Sequence, residues 1–386
     1  MFADIQCVMV NSVVALDLGT THIRGIEAQI KNGSLPKIMR IHSIPVESEI
    51  IVSGLIENET ALQSALKKLW TEGKFTSKNV VTMATGDSYD NRVVPDIPWS
   101  PPNDFKRLLP HYLREKLPFD IEDYYFDAHT LNEYYKDTVG DSQLYKLIYA
   151  TGVHREFADT LIRSIEVAGL RPVGMDIMPL ALIRSYASTS EAPESATIVS
   201  IELGGDITTI VIHKNSQPVY TNTATPLGGE RISSEIAQEL QLTLPEADML
   251  KVAFSKTPEE QAQMVATNFY QDGTTRQTRY LDIPEQQKRD ALQIVSREVS
   301  NIITHIGDIL EDASGSRIET PFEIVLSGGG ASLHTLVPRL QSELGIPTRV
   351  AQPFGDETSG KIDPEIFKNQ HVFNSIFGLL VGQNEL

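Results

Sequence analysis

The chain has 386 residues, 41% hydrophobic and 22% charged, with a formal net charge of −18. That length exceeds what one core usually holds and implies about two or three domains. The acidic balance repels nucleic acid, so DNA or RNA is not an expected partner, while basic partner segments are suited to it. A single cysteine, Cys7, excludes disulfide stapling within the chain and fits a reducing compartment. No basic leader with a cleavage pattern opens the sequence, so no signal peptide is expected. No stretch reaches the ~20 apolar residues of a spanning helix.

The first element, SVVALDLGTTHIRGIEA from Ser12 to Ala28, reads as two β-branched strands joined by a glycine-threonine turn. VVPDIPWSPPNDF, from Val93, is proline-dense and extended or turned. NDFKRLLPHYLREKLPFD then predicts a helix interrupted at Pro110. EDYYFDAHTLNEYY and SQLYKLIYATG predict strands, and HREFADTLIRSIEVAGLRPVGMDIM a helix ended by Gly169 and followed by a strand. Together these form a β/α module inserted near Val93 and ending near Val173.

ATIVSIELGGDITTIVIHKN, from Ala196 to Asn215, repeats the grammar of the first element: apolar run, acid, apolar residue, glycine, threonines, apolar run. Two such units far apart imply two related lobes. PLGGERISSEIAQEL sets glycines before a helix carrying Glu230, Arg231 and Ser233. From Leu244 to about Arg317 the pattern is charged and helical, with a turn expected in NFYQDGTTRQTRY. FEIVLSGGGASLHTLVPRL, from Phe322 to Leu340, reads as a strand, a glycine turn and a helix with Leu333, Leu336, Val337 and Leu340 on one face. The terminal HVFNSIFGLLVGQNEL is expected to be a core helix.

Phosphates need backbone N–H donors that can approach closely, and glycine hairpins with threonine hydroxyls supply them. A phosphate-bound divalent cation needs nearby carboxylates, directly or through water. Two hairpins facing each other, with Asp17 and Glu202 before their turns and Arg24 on a returning strand, would clamp a magnesium–phosphate group. Turn-capping acids in unrelated hairpins are the alternative for either unit alone. Other chemistries leave no trace: there is no G-x-x-x-x-G-K-[ST], no H-E-x-x-H and no G-x-S-x-G. Trp70 and Trp99 are expected to be packing residues.

LDLGTTHIRG, IELGGDITTI, PLGGERI and VLSGGGASLHTLVPRL resemble, in order and separation, the phosphate-one, phosphate-two, connector and adenosine motifs of the actin-like ATPase superfamily. The resemblance covers essentially the whole chain. It implies an α/β, two-lobed fold of duplicated ribonuclease-H-like domains with an inserted β/α subdomain in the first lobe. It implies a first lobe at 12–92 and 174–194, an insert at 93–173, a second-lobe core at 195–243 and 319–386, and a helical subdomain at 244–318. It also implies ATP and Mg²⁺ as ligands. Asp17, Gly19, Thr20, Thr21 and Arg24 would line one phosphate hairpin, and Glu202, Gly204, Gly205 and Thr208 the other. Gly228, Gly229, Glu230, Gly328, Gly329 and Gly330 would lie near the nucleoside, and Asp17 and Glu202 would face the metal.

The insert, with VPDIPWSPPNDFKRLLPHYLREKLPFDIEDYYFDAHTL, YKLIYATGVHREFADTLIRSIEVAGLRPVGMDIMPLALIR and the later EADMLK, resembles the PilM family of type IV pilus assembly. The cell-division family FtsA shares the plan but typically continues into a linker and a membrane-binding helix. The PilM resemblance implies a cytoplasmic protein held under the inner membrane. Its partner would be the N-terminal tail of a PilN-type membrane protein, bound in a groove between first lobe and insert. Further expected partners are other pilus assembly proteins and a second copy of the chain.

Three departures bear on hydrolysis. Chaperone relatives place a Glu-Pro pair where this chain has Met178-Pro179, and a thioether orients water poorly. Glu202 stands where Asp is usual, displacing the carboxylate by about one methylene. Arg24 replaces the more usual Lys. Slow or absent ATP cleavage is therefore expected. The competing readings are an FtsA-like polymerising protein and a sugar-kinase-type phosphotransferase, for which no convincing catalytic Asp is evident.

Overall fold

The computed structural model describes residues 12–31, 33–46, 50–117, 120–138, 141–190, 192–269, 275–314, 320–333, 335–355 and 362–383. Cys7 and the turn expected within 270–274 lie outside them.

Strands β1 (Ser12–Leu18), β2 (His22–Gln29) and β3 (Lys37–Pro45) form an antiparallel meander. The short pair β4 (Ile51–Val52) and β5 (Leu55–Ile56), α1 (Glu59–Gly73) and β6 (Asn79–Ala84) follow. The insert comprises β7 (Tyr89–Pro98), α2 (Pro102–Lys116), β8 (Tyr124–Thr138) and β9 (Asp141–His154). Next come α3 (Arg155–Val167), β10 (Arg171–Ile177) and α4 (Met178–Thr189).

The second meander is β11 (Thr197–Leu203), β12 (Thr208–Lys214) and β13 (Gln217–Ala224), followed by α5 (Gly229–Leu240), α6 (Leu244–Ala253) and α7 (Pro258–Gln263). A hairpin of β14 (Val265–Phe269) and β15 (Thr275–Arg279) precedes the long α8 (Glu285–Ser314). The chain continues through β16 (Glu323–Ser327), α9 (Leu336–Leu344), β17 (Thr348–Val350), α10 (Pro364–Lys368) and α11 (Asn374–Gly382).

The two large sheets share one topology. Their orders are β10-β6-β1-β2-β3 and β13-β12-β11-β16-β17. In each, the first strand of the meander is central and pairs in parallel with a later strand. Covered on both faces, β1 and β11 are buried almost residue by residue rather than alternately. The duplicated lobes expected from the sequence are thus present.

Four expectations need correction. Pro110 does not interrupt its helix, which runs unbroken from Pro102 to Lys116. Phe105, Leu109 and Leu113 straddle the proline on one buried face, and their packing offsets the ~3 kcal/mol that an interior proline costs. The charged stretch after Leu244 is not wholly helical, since Val265–Phe269 and Thr275–Arg279 pair as antiparallel strands. Residues 171–173 lie in the first sheet, where β10 pairs with β6, and α3 packs Phe157, Leu161 and Ile165 into that lobe's core. The C-terminal helix α11 belongs with the first lobe rather than the second. Ile376, Phe377, Leu379 and Leu380 pack among Val13, Ala15, Val81 and Leu182. Gly378 permits the close crossing with α4, since a Cβ there would sit 1.8 Å from the Ala181 carbonyl oxygen.

Candidate functional site

Both β1–β2 and β11–β12 turn through glycine with the same closure. Gly19 N–H donates to the His22 carbonyl at 3.0 Å, and Gly204 N–H to the Ile207 carbonyl at 2.9 Å. A Cβ at either glycine would stand 2.8 Å from that same carbonyl oxygen. The N–H groups of Thr20, Thr21, Gly205 and Asp206 donate to no atom among the described residues. Two sets of unbonded donors at hairpin tips are what an anionic phosphate uses.

The hairpins face a common cleft of about 620 Å³ between the lobes. Its lining includes Asp17, Gly19, Thr20, Thr21, Arg24, Glu202, Gly204, Gly205, Gly229, Glu230, Gly328, Gly329 and Gly330. Two expected residues do not line it. Thr208 is fully buried and its hydroxyl donates to the Leu227 carbonyl. Gly228 lies against the second hairpin, where a Cβ would be 2.3 Å from the Gly205 carbonyl oxygen. The N–H groups of Gly229 and Glu230 are also spent on that hairpin, at 3.0 Å to Gly204 and 2.7 Å to Gly205. The connector glycines therefore dock a helix onto the turn.

Arg24 Nη1 bonds Asp17 Oδ2 at 3.0 Å across the first hairpin. Burial raises the Asp17 pKa, and the Arg24 charge opposes the rise. Glu202 makes no ion pair among the described residues. Its Oε2 is enclosed and accepts no hydrogen bond. Burial, with a further push from the Asp17 charge, raises its pKa to about 8 against the pull of Ser327 and Arg24. Burial and the Arg24 charge lower His22 and His371 to about 4, so both rings are neutral at pH 7. Among the described residues no group of three or more His, Cys, Asp or Glu could hold a metal on its own. Two carboxylates, one with an orphan oxygen, nevertheless fit a magnesium ion that takes its other ligands from phosphate and water.

The lobes touch beside the hairpins. Asp206 Oδ2 accepts from Ser53 N–H at 2.9 Å and from Ser53 Oγ at 3.1 Å. At the start of α4, Met178 lines the cleft. Asp176 does not line it and is held by Arg184.

Sequence reasoning missed one wall. Asp248, Lys251, Val252, Ser255 and Lys256 line the cleft from α6 and the turn after it. Lys251 Nζ is anchored on the Gly229 carbonyl (3.0 Å), Ser233 Oγ (2.9 Å) and Asp248 Oδ1 (2.6 Å). The spacing Asp248, Lys251, Val252, Ser255 is one helical face, the signal that could have found it. A 3-10 turn, Gly329–Ser332, takes up the last two glycines of the run, and α9 begins only at Leu336, past Leu333. Ser332 meets the turn after α6, where Ser255 Oγ donates to its carbonyl at 2.6 Å, and meets His371 through its own hydroxyl at 2.8 Å.

Two lobes of one topology, each offering a glycine hairpin to a shared cleft, define the actin-like class of fold. The solved PilM-PilN type IV pilus biogenesis complex shares the fold, with a TM-score of 0.73 and 18% identity over 98% of this chain and 100% of that one. MreB 5 of Spiroplasma citri, solved bound to AMPPNP, reaches a TM-score of 0.50 at 12% identity, covering 96% and 95% of the two chains. The chain belongs to the family of the type IV pilus assembly protein PilM, whose model matches residues 15–286. The cell division protein FtsA of Bacillus subtilis is 28% identical over 201 residues, 50% of this chain and 42% of that protein. The chain thus spans under half of that relative's length. Among the described residues no helix is long and apolar enough to cross a membrane.

Proposed function

We propose that this protein is an ATP-binding scaffold of type IV pilus assembly whose nucleotide state tunes its grip on a membrane partner. The observation that carries the reading is the pair of equivalent hairpins, with unbonded N–H groups at both tips, facing one cleft. The phosphates would lie between Gly19–Thr21 and Gly204–Asp206. The nucleoside would lie toward Gly329 and α6. Asp17 and Glu202 would hold Mg²⁺, which would neutralise phosphate charge. A ligand spanning both hairpins fixes the angle between lobes and so favours one conformation of any surface that both lobes shape.

The partner is the basic and apolar N-terminal tail of a PilN-type inner-membrane protein. It binds between first lobe and insert and keeps this cytoplasmic protein at the membrane. Family membership and the likeness to the PilM-PilN complex support that reading. Hydrolysis is slow or absent, because the cleft offers Met178 at the head of α4. Calorimetric titration with ATP tests the site. Loss of binding in an Asp17→Ala, Gly329→Val double variant is expected, and unchanged binding contradicts the assignment. Similarity to FtsA supports a second reading, a polymerising protein. Sedimentation with and without ATP separates the two, since only the second yields filaments.

A further inference from the structure

One face of the insert sheet is only partly covered by α2. Ile97 pairs with Lys146, and Lys146 with Glu133, so the three form a cross-strand row. Phe105 of α2 lies over it, with Lys146 Nζ 4.9 Å from the ring centroid. Two residues further along each strand the side chains return to the same face. There stand Leu144 and Tyr135, with Trp99 one residue past the end of β7. Trp99 N–H donates to the Leu144 carbonyl at 3.0 Å, and Leu144 pairs with Tyr135. Trp99 is 45% exposed and Tyr135 72%. The apolar row continues the face past the point where the helix shields it.

Strand β8 also forms the edge of this sheet, whose order is β7-β9-β8. It runs 15 residues; the Leu131 carbonyl accepts from Gln217 Nε2 at 3.2 Å and the Glu133 N–H donates to Asn132 Oδ1 at 2.9 Å, side-chain bonds that an added strand would exchange for main-chain ones at an edge able to template it. Glu133 and Asp137 flank Tyr135 on the same face. Glu133 is shared with Lys146 at 3.2 Å, and Asp137 is exposed with no ion pair among the described residues.

We propose that the β8 edge takes an extended segment of another protein as a fourth strand, with an apolar residue opposite Tyr135 and basic residues two positions to either side. The apolar residue lengthens the Trp99–Leu144–Tyr135 row, main-chain bonds supply the pairing, and the flanking cations meet Glu133 and Asp137. A second copy of this chain fits worse. Antiparallel β8–β8 pairing centred on Tyr135 sets Glu133 opposite Asp137, acid against acid. None of its residues lines the cleft, so it stands independently of the nucleotide reading.

Amide hydrogen exchange on the full chain tests this, using the synthetic peptide Ser-Lys-Thr-Phe-Thr-Lys-Ser and its Glu-flanked counterpart Ser-Glu-Thr-Phe-Thr-Glu-Ser. The lysine peptide is expected to slow exchange across 131–137 and the glutamate peptide to leave it unchanged. Tyr135→Ser is expected to weaken the lysine peptide about tenfold, with Tyr135→Phe retaining it. The exposed site keeps the thermal midpoint of both variants unchanged. Protection by neither peptide or by both equally overturns the proposal. So does concentration-dependent protection without peptide, which is self-pairing.

Discussion

Asp17 and Glu202 hold the same register position in the two hairpins, but of the two only Asp17 is ion-paired among the described residues. Each carboxylate lies one residue before the last pair of its ladder, with Arg24 opposite Asp17 and Thr209 opposite Glu202. The duplicated lobes thus supply one compensated and one uncompensated buried acid to the same cleft. A ligand that brings positive charge to Glu202 relieves the second.

Arg24 is expected to carry much of the phosphate affinity. A charge-assisted hydrogen bond contributes ~1.5–3 kcal/mol, so Arg24→Met should weaken ATP about 10- to 100-fold in a calorimetric titration. Because the variant leaves Asp17 buried without its partner, a thermal melt of the same variant without nucleotide separates lost binding from lost folding. Arg24→Lys should fall between wild type and Arg24→Met.

Glu202 makes stability depend on pH. Its carboxyl titrates at the ordinary carboxylate value in the unfolded chain and near 8 when folded. Between those values the unfolded state binds fewer protons, so rising pH favours unfolding. The contribution is full below the ordinary value and is lost as pH rises through about 8. In EDTA, Glu202→Gln should raise the thermal midpoint relative to wild type at alkaline pH and change it little near pH 5. A difference that does not vary with pH counts against an uncompensated Glu202.

Two neighbouring glycines should separate folding from binding. Gly328 has φ +78°, and a Cβ there would meet the Leu203 carbonyl oxygen at 2.5 Å, so Gly328→Ala should cost ~1–3 kcal/mol in denaturant titration. At Gly329 an added Cβ meets nothing within 4 Å. Gly329→Val should leave stability within ~0.5 kcal/mol and still abolish ATP binding, because its side chain fills the cleft.

Met178 accounts for weak hydrolysis in this reading. Met178→Glu places a carboxylate at the head of α4 facing the phosphates and should raise single-turnover ATP cleavage about 10²-fold, with Met178→Leu as the inert control. Wild-type cleavage as fast as that of the glutamate variant would place the water-orienting group elsewhere.

The hairpin side of the cleft was legible in the sequence because each hairpin is local. Strand, glycine turn and returning strand lie within one stretch, and Asp17 and Glu202 stand at the strand ends. The opposite wall was less so. Asp248, Lys251 and Ser255 reach the cleft only because α6 folds back over the connector glycines, a non-local event. The same holds for α11, whose all-round apolar surface announces burial but not the lobe that buries it. Gly378 decides that by admitting the Ala181 backbone, and a lone glycine in an apolar helix carries no address. At Pro110 the local breaker signal yields to tertiary packing on both sides of it.

The central claim couples the cleft to a partner. Titrating the cytoplasmic tail of a PilN-type protein into the full chain, with and without Mg-ATP, tests it most directly. The account predicts tail binding in both conditions, with affinities differing by at least about 5-fold. Equal affinities, or no tail binding in either condition, would contradict it.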